Sequence, residues 1–435
     1  MGLAVDADVV LFNGNVITVD GKKPRAQGVA VKDGRILWVG TDEEVKQAIG
    51  TGTRVRDSKG MTVTPGFIES HNHTLMFGLG LSSIDLTKVS SIEEMIALVK
   101  ERAAKQREGT WITGVGYNQN ELKEKRHPSR EDLDQAAPKH LVSLRHTSAH
   151  GIAVNSLTLA TAGITQATPD PEGGKIVRDV KTGELTGLLF ESPAMKLIED
   201  HMPKPGLEDL VTALGNASRR FLSEGITSAM DANVGGNDIP LQVAAYQEAV
   251  ERGVLRVRHN LAIWSEAVFD YSRFEESLKE ARGRLLGLGI RTGLGDERLR
   301  IGPFKIIVDG AFSTVTAVTY EPYGVEANDR GCGVLVIEPE KLAKVASLVH
   351  GLGWQLSIHG IGDRAIDVCL DAFEAAQKSK PGKDSRHRLE HCTMALPRMF
   401  DRIKRLGVIP VLQPGSSGSW GITGSVNSGK KPVVS

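Results

Sequence analysis

From about residue 61 onward, apolar runs of strand length alternate with segments of helix length, and this alternation constrains the fold most. Helix-like residues 207–224, for example, stop at Gly225 and lead directly into the apolar run 226–231. Other predicted strands cover residues 63–68, 255–263, 299–308, 354–359, 386–391 and 408–413. Strands alternating with helices form parallel sheets with right-handed crossovers. We therefore predict an α/β fold of the (β/α)8 TIM-barrel type, with seven strands recognisable and the eighth missing.

The segments outside this alternation predict the domain organisation. Residues 1–58 indicate a small all-β unit, in which Asn13-Gly14 and Asp33-Gly34 have the composition of hairpin turns. Residues 59–414 would form the barrel, interrupted at about residues 109–201 by a turn-rich insertion that we interpret as an irregular lid over the active site. Residues 415–435 are rich in Gly and Ser and predict a disordered tail.

Composition excludes several classes of partner. The 435 residues contain 53 basic and 53 acidic side chains, which disfavours a surface for nucleic acid or anionic membrane. The three cysteines match neither a zinc knuckle nor a disulfide framework, as in a reducing compartment. The N-terminus does not resemble a signal peptide, and no apolar run reaches transmembrane length. These features predict a cytoplasmic protein that acts on a small-molecule substrate.

Histidines occur where predicted strands end. His71 and His73 follow the first strand at i and i+2, a spacing that lets both side chains of a strand face one cation, while His359 and His391 end later strands. One such histidine is more often an ordinary hydrogen-bonded polar residue than a metal ligand. Three strand ends carrying histidine at the C-terminal face of one barrel, where active sites of this fold are built, favour a metal site.

Lys305 lies within the apolar strand 299–308, between Phe304 and Ile306. An unpaired ammonium group in a buried strand is costly, so this lysine should lie at an exposed edge or be chemically altered. If Lys305 were deprotonated and carbamylated by carbon dioxide, it would become an anion with two oxygens that can bridge two metal ions.

The chain resembles the amidohydrolase superfamily, and within it the YtcJ-like (amidohydrolase family 3) group. The similar stretches are residues 65–73, 111–117, 155–156, 225–231, 305–310, 359–365 and 388–391. The resemblance implies a distorted barrel with a small β-sandwich, incomplete here, and one or two divalent metal ions, usually Zn2+. It implies that the metal ligands are His71, His73, Lys305, His359 and His391. It also implies that Tyr117 and His150 line the substrate pocket.

This chain departs from the family at its C-terminal end. The family has an eighth strand with an Asp that binds metal and acts as general base, whereas no Asp, Glu or His follows Asp401 here. We therefore expect a C-terminally truncated member with an unassigned general base and little or no hydrolase activity. If the chain were active, another residue such as Asp231 or Asp309 would have to replace the absent carboxylate. Because an open barrel exposes strand edges, we also expect aggregation or a homo-oligomer.

Three functions remain open. The first is a metal-dependent amidohydrolase that hydrolyses a non-peptide C–N bond by metal-activated water. The second is a superfamily deaminase, although Gly362 stands where such enzymes commonly carry a Glu. The third is a catalytically impaired remnant with a binding or structural role, since the strand-eight Asp is absent.

Overall fold

The computed structural model describes residues 5–236, 238–312, 314–323, 331–382 and 384–413. The described chain divides between Ile68 and Glu69 into two compact units, and Gly225–Thr227 belong to the first. The predicted tail, residues 415–435, lies outside the described residues. Within the described ranges, every helix is too short or too polar to cross a membrane.

The first unit contains two small sheets, and an apolar core of Ala7, Val10, Ala30, Val45 and Ala48 packs on the larger of them. Its elements are β1 (Val9–Phe12), β2 (Asn15–Ile17), β3 (Arg25–Ala26), β4 (Gly28–Lys32), β5 (Arg35–Gly40), α1 (Asp42–Lys46), β6 (Arg54–Asp57) and β7 (Thr62–Val63). The sheet orders are β5-β4-β1-β6 and β3-β2-β7.

One of the two predicted hairpins is confirmed. Asp33 and Gly34 have φ angles of 50° and 72° and connect the antiparallel strands β4 and β5. The hairpin predicted at Asn13-Gly14 is wrong, because β1 and β2 belong to different sheets. Strand β1 has β4 on one edge and β6 on the other, so no edge is left for β2. The amide of Asn13 instead donates to Asp42 Oδ1 at 2.7 Å.

The rest of the chain contains the barrel strands and a lobe between the first and second of them. The first barrel strand and the helix after it are β8 (Phe67–Asn72) and α2 (Thr74–Gly80). The lobe follows, with β9 (Ile84–Asp85), α3 (Ile92–Ala103), β10 (Trp111–Tyr117), α4 (Arg130–Ala136), β11 (Leu141–His146), β12 (Gly151–Val154), α5 (Ser156–Thr161), β13 (Lys175–Arg178), β14 (Leu185–Phe190) and α6 (Ser192–Glu199). The chain then returns to the barrel with α7 (Leu207–Ser223), β15 (Ile226–Val234), α8 (Ile239–Glu251), β16 (Arg258–Trp264), a 3-10 turn (Ser265–Ala267), α9 (Phe274–Gly287), β17 (Leu299–Ile307), α10 (Pro339–Gly351), β18 (Leu356–Gly360), α11 (Asp363–Ser379), β19 (Arg388–His391), α12 (Pro397–Leu406) and β20 (Ile409–Val411).

Seven strands form a nearly closed parallel barrel in the order β8-β15-β16-β17-β18-β19-β20, which confirms the predicted fold class and strand number. Its helices bury apolar faces against the strands; Leu214 of α7 and Val345 of α10, for example, are fully buried in the same core as Leu356. Gly225 follows α7 with a φ of 79°, the left-handed conformation that ends a helix most easily at glycine. The parallel strands therefore point their C-terminal ends in one direction.

The first barrel strand lies further along the chain than predicted. We expected a buried strand at residues 63–68, but β8 spans Phe67–Asn72, and Phe67 and Ile68 are 64% and 76% exposed. Pro65 lacks an amide hydrogen and interrupts sheet pairing, so the strand begins after it. His71 consequently lies inside the strand, and His73 lies just beyond its end.

The prediction that residues 109–201 are irregular is wrong. Strands β9 to β14 form a six-stranded sheet in the order β13-β14-β12-β11-β10-β9, covered by α3 to α6. Two apolar clusters stabilise this lobe, one around Met95 and Leu144 and the other around Leu189 and Ile198. The short apolar runs between turns resembled loops because the pairing of the strands is long-range and mixed. It is parallel for β9–β10 and β10–β11 and antiparallel for β11–β12, β12–β14 and β13–β14.

Candidate metal centre and substrate pocket

Four imidazole rings meet at the C-terminal ends of the barrel strands. The ring centroids of His71 and His73 are 5.5 Å apart, those of His71 and His391 are 4.7 Å apart, and those of His359 and His391 are 4.4 Å apart. Strands β8, β18 and β19 supply these side chains from distant parts of the sequence. The fold therefore brings together all four histidines that the sequence singled out.

Lys305 lies inside the barrel beside this cluster. It is 1% exposed and lines, together with His73, His359 and His391, a cavity of about 250 Å3. Burial lowers the pKa of Lys305 to about 8, and the negative charge of Glu390 partly opposes the shift. A lysine with a lowered pKa is more often neutral, and a neutral amine is the form that reacts with carbon dioxide.

A buried carboxylate fixes the orientation of His71. Glu390 Oε2 lies 2.6 Å from His71 Nδ1, and Glu390 Oε1 accepts from Ser357 Oγ and Arg388 Nε, both at 2.7 Å. Although burial opposes the charged form, the hydrogen bond from His71 and the charge of Lys305 lower the pKa of Glu390 well below its usual range. A carboxylate bound to one ring nitrogen sets the tautomer and directs the other nitrogen, here Nε2, into the site.

Backbone and amide groups hold the other two strand-end histidines. His359 Nε2 lies 3.1 Å from the Gly310 carbonyl oxygen, and His391 Nδ1 lies 2.8 Å from Gln413 Oε1. His391 has a φ of 69° and Cys392 a φ of 48°, which are unfavourable for residues with side chains. Such strain concentrates at functional sites, where the surrounding structure imposes it.

Two ring nitrogens in the cluster suit a metal ion. His71 Nε2 and His73 Nδ1 are buried and have no hydrogen-bond partner among the described residues. Burial lowers the pKa of His71 to about 4 and lowers the pKa of His73 well below its usual value, so both rings are neutral, the form that binds metal. Within the described ranges, no three His, Cys, Asp or Glu side chains already have metal-binding geometry. The donor chemistry therefore fits a divalent cation, and binding would require rings such as that of His359 to rotate.

Comparison with known proteins identifies the family. The profile of the amidohydrolase family matches residues 54–421. The chain belongs to the amidohydrolase family. Protein LONG AFTER FAR-RED 3 of Arabidopsis thaliana is 31% identical and covers 94% of this chain and 68% of its own length. N-substituted formamide deformylase of Arthrobacter pascens is 30% identical, and the alignment covers 95% of this chain and 74% of the deformylase. Putative amidohydrolase YtcJ of Bacillus subtilis is 30% identical, and the alignment covers 93% of this chain and 72% of YtcJ.

A solved structure agrees with this assignment. An uncharacterized metal-dependent hydrolase from Pyrococcus furiosus superposes with a TM-score of 0.68 at 28% identity, covering 94% of this chain and 78% of its own. Its counterpart from Pyrococcus horikoshii gives a TM-score of 0.69 at 26% identity, with coverages of 96% and 77%. Together, the family and these structures support a hydrolase.

The two residues expected to line the substrate pocket of this amidohydrolase differ in position. His150 lines the cavity, and its ring centroid is 5.5 Å from that of His359. Tyr117 is fully buried, its hydroxyl lies 3.1 Å from His127 Nδ1, and it is not among the residues that line the cavity. Tyr117 instead packs in the core of the lobe with Leu122.

The two aspartates considered as substitutes for the general base accept most of their hydrogen bonds from backbone amides. Asp309 accepts hydrogen bonds from the amides of Val318, Ile361 and Gly362 at 2.9–3.0 Å, and its Oδ1 also lies 3.4 Å from His359 Nε2. Asp231 accepts from the amides of Leu75 and Asn233, each at 3.0 Å, and from the Tyr246 hydroxyl. Both carboxylates are fully buried, and neither is among the residues that line the cavity.

Sequence reasoning missed three acidic residues that line the cavity: Glu199, Asp200 and Glu266. Glu199 pairs with Arg145, and Asp200 pairs with Lys196 at 2.7 Å. Glu266 lies in the turn after β16, and burial raises its pKa. The one available signal was that Glu266 follows a predicted strand, the position from which barrel enzymes draw their active-site residues.

Proposed function

We propose that this protein is a metal-dependent amidohydrolase that hydrolyses a non-peptide, amide-like C–N bond in a small molecule. The pair of buried, unpartnered nitrogens, His71 Nε2 and His73 Nδ1, carries the proposal, because a buried polar atom without a partner is costly unless it has a ligand. The name of the deformylase relative supports a C–N bond, and the description of the Pyrococcus furiosus structure supports a metal. We propose Zn2+ as the metal, in one or two equivalents, because imidazole-rich sites suit zinc.

His71, His73, His359, His391 and Lys305 would hold the metal. A divalent cation at this position supplies Lewis acidity, which lowers the pKa of a water and polarises a carbonyl group. In a two-metal site Lys305 would act as a carbamate ligand. Its neutral amine forms a C–N bond to carbon dioxide, one C=O π bond becomes a C–O− group, and the nitrogen releases one proton.

The surrounding side chains would fix this arrangement before a substrate enters. Glu390 keeps the Nδ1 proton of His71, so that His71 Nε2 stays available as a ligand. The buried ring of His359, whose Nε2 contacts the Gly310 carbonyl, would instead rotate beside His391 to reach the metal. Along the cavity, His150 and Trp264 supply polar and apolar surface for the substrate, as expected of a small-molecule pocket.

The test combines metal analysis with turnover. Purified protein is dialysed against zinc-containing buffer and freed of excess metal, its metal is counted by mass spectrometry, and N-formylbutylamine and N-acetylbutylamine are assayed for amine release. About two equivalents with release of butylamine support the two-metal hydrolase. About one equivalent together with ammonia release from aminated heterocycles would favour the deaminase. Absence of both metal and turnover would leave the non-catalytic role.

A further inference from the structure

The second feature of the cavity is a buried pair contributed by the lobe, His150 and Glu191. His150 Nδ1 lies 2.7 Å from Glu191 Oε2, and the side chains are 17% and 3% exposed. A backbone hydrogen bond of 2.9 Å from the Glu191 amide to the His150 carbonyl joins the same two residues. The pair is therefore tied together by both main chain and side chain.

Glu191 has an unusual backbone conformation. Its φ of 64° and ψ of 155° fall in a region that essentially only glycine occupies, and it immediately precedes α6. Residues with side chains persist in this region only when other contacts impose it, and such residues cluster at active sites. The conformation directs the Glu191 carboxylate back toward His150 rather than outward.

Gly310, in the loop after barrel strand β17, leaves room for this carboxylate. A Cβ atom at Gly310 would meet Glu191 Oε1 at 2.5 Å and would also collide with Thr316. The carbonyl of the same glycine is the group bonded to His359. One glycine thus contacts both the Glu191 carboxylate and a histidine of the candidate metal centre.

We propose that Glu191 is a positioning residue, which holds the His150 ring so that its free nitrogen, Nε2, contacts the substrate in the cavity. Glu191 occupies Nδ1, which leaves Nε2 as the nitrogen available to a ligand, and the ring lies 5.5 Å from His359. The lobe between β8 and β15 is therefore part of the active site, and the strain at Glu191 is retained because it aims His150. This inference rests on the proposed hydrolase function.

The first test compares Glu191→Gln, Glu191→Ala and Glu191→Gly in the zinc-loaded full chain, with N-formylbutylamine as the probe. We expect Glu191→Ala to lower kcat by about 10–100-fold with an unchanged metal content, the usual loss when the partner of an active-site histidine is removed. Glu191→Gln keeps an acceptor oxygen and should retain more activity than Glu191→Ala. A Glu191→Ala enzyme within about twofold of the wild-type kcat would overturn the proposal.

The glycine variant separates strain from chemistry. Glu191→Gly and Glu191→Ala both lack the carboxylate and should lose activity alike, but only glycine adopts this conformation without strain, so Glu191→Gly should melt at the higher temperature. Equal or lower melting of Glu191→Gly would overturn the assignment of strain. Lys125→Gly is the control: Lys125 is exposed with a φ of 51° and lies outside the cavity, so activity should not change.

A second measurement does not require turnover, and so distinguishes failure of this inference from failure of the proposed function. Imidazole nitrogen shifts are recorded by NMR on protein with 15N-labelled histidine, and the His150 signals are assigned by their loss in His150→Asn. We expect the His150 shifts to change in Glu191→Ala because the ring loses its Nδ1 partner. Unchanged shifts would overturn the inference, whereas changed shifts in a protein without turnover would refute only the hydrolase.

Discussion

Replacing Glu390 with glutamine tests the carboxylate that supports His71. Every described contact of this carboxylate is with a hydrogen-bond donor: His71 Nδ1, Ser357 Oγ and Arg388. Arg388 also donates to the Ser70 carbonyl at 2.9 Å, which links β19 to β8. A glutamine amide has only one acceptor oxygen, so its NH2 group would face one of these donors. The positive charges of Lys305 and Arg388 would also lose the negative charge of the carboxylate.

The magnitude follows from how each partner can respond. Removing one member of a buried charge pair costs about 3–5 kcal/mol. Lys305 can relieve part of this cost by releasing its proton, because its pKa is already lowered to about 8 and one pKa unit is worth ~1.4 kcal/mol. Arg388 cannot deprotonate, but its side chain is 15% exposed and retains some water. We therefore expect Glu390→Gln to lower the free energy of unfolding by about 3 kcal/mol.

Urea unfolding of the metal-free proteins measures this loss, and zinc titration of the folded proteins measures affinity. Since His71 loses its orienting partner, zinc should bind about 10–100-fold more weakly. The matched control is Glu208→Gln, which removes an exposed carboxylate that contacts Arg252 at 2.7 and 2.8 Å and should cost under about 1 kcal/mol. Equal costs for the two variants, or unchanged zinc affinity in Glu390→Gln, would refute this account.

Three further predictions address Lys305, Asp231 and the association state. Lys305→Met removes a buried amine with a side chain of similar size, so the metal-free variant should melt no lower than wild type yet bind one zinc equivalent fewer; unchanged zinc would contradict the bridging role. Burial raises the pKa of Asp231 to about 6, so the folded state holds this proton more tightly than the unfolded chain. Stability should therefore fall as pH rises from about 4 to 6, by roughly 2–3 kcal/mol, and a urea titration of Asp231→Asn should lack this slope. The prediction of aggregation or a homo-oligomer is checked by light scattering, and a stable monomer would contradict it.

The barrel was predictable because its signal is local. Each helix and the strand after it lie within about 30 residues, and periodicity detects such units directly. The lobe was not predictable in the same way, because β11 pairs in parallel with β10 but antiparallel with β12, and the lobe has two separate apolar cores. Short apolar runs carry no information about which distant run they will pair with.

The same distinction applies to the site. His71 and His73 share a motif, and His359 and His391 end predicted strands, so all four could be named from the sequence. The role of Glu390 could not, because its contact with His71 joins residues 319 positions apart. The role of Glu191 depends on a backbone conformation that its residue type gives no reason to expect.

The metal content of His71→Ala tests the central claim most directly. We expect wild-type protein to retain one or two zinc equivalents after dialysis and His71→Ala to lose them, since removing one imidazole also loosens its neighbours. His387→Ala is the matched control, because His387 is a buried histidine whose Nδ1 accepts from the Leu356 amide and which does not line the cavity. It should lower stability without changing the metal content. Loss of zinc only in His71→Ala is the predicted result, and equal zinc in all three proteins would contradict the metal centre.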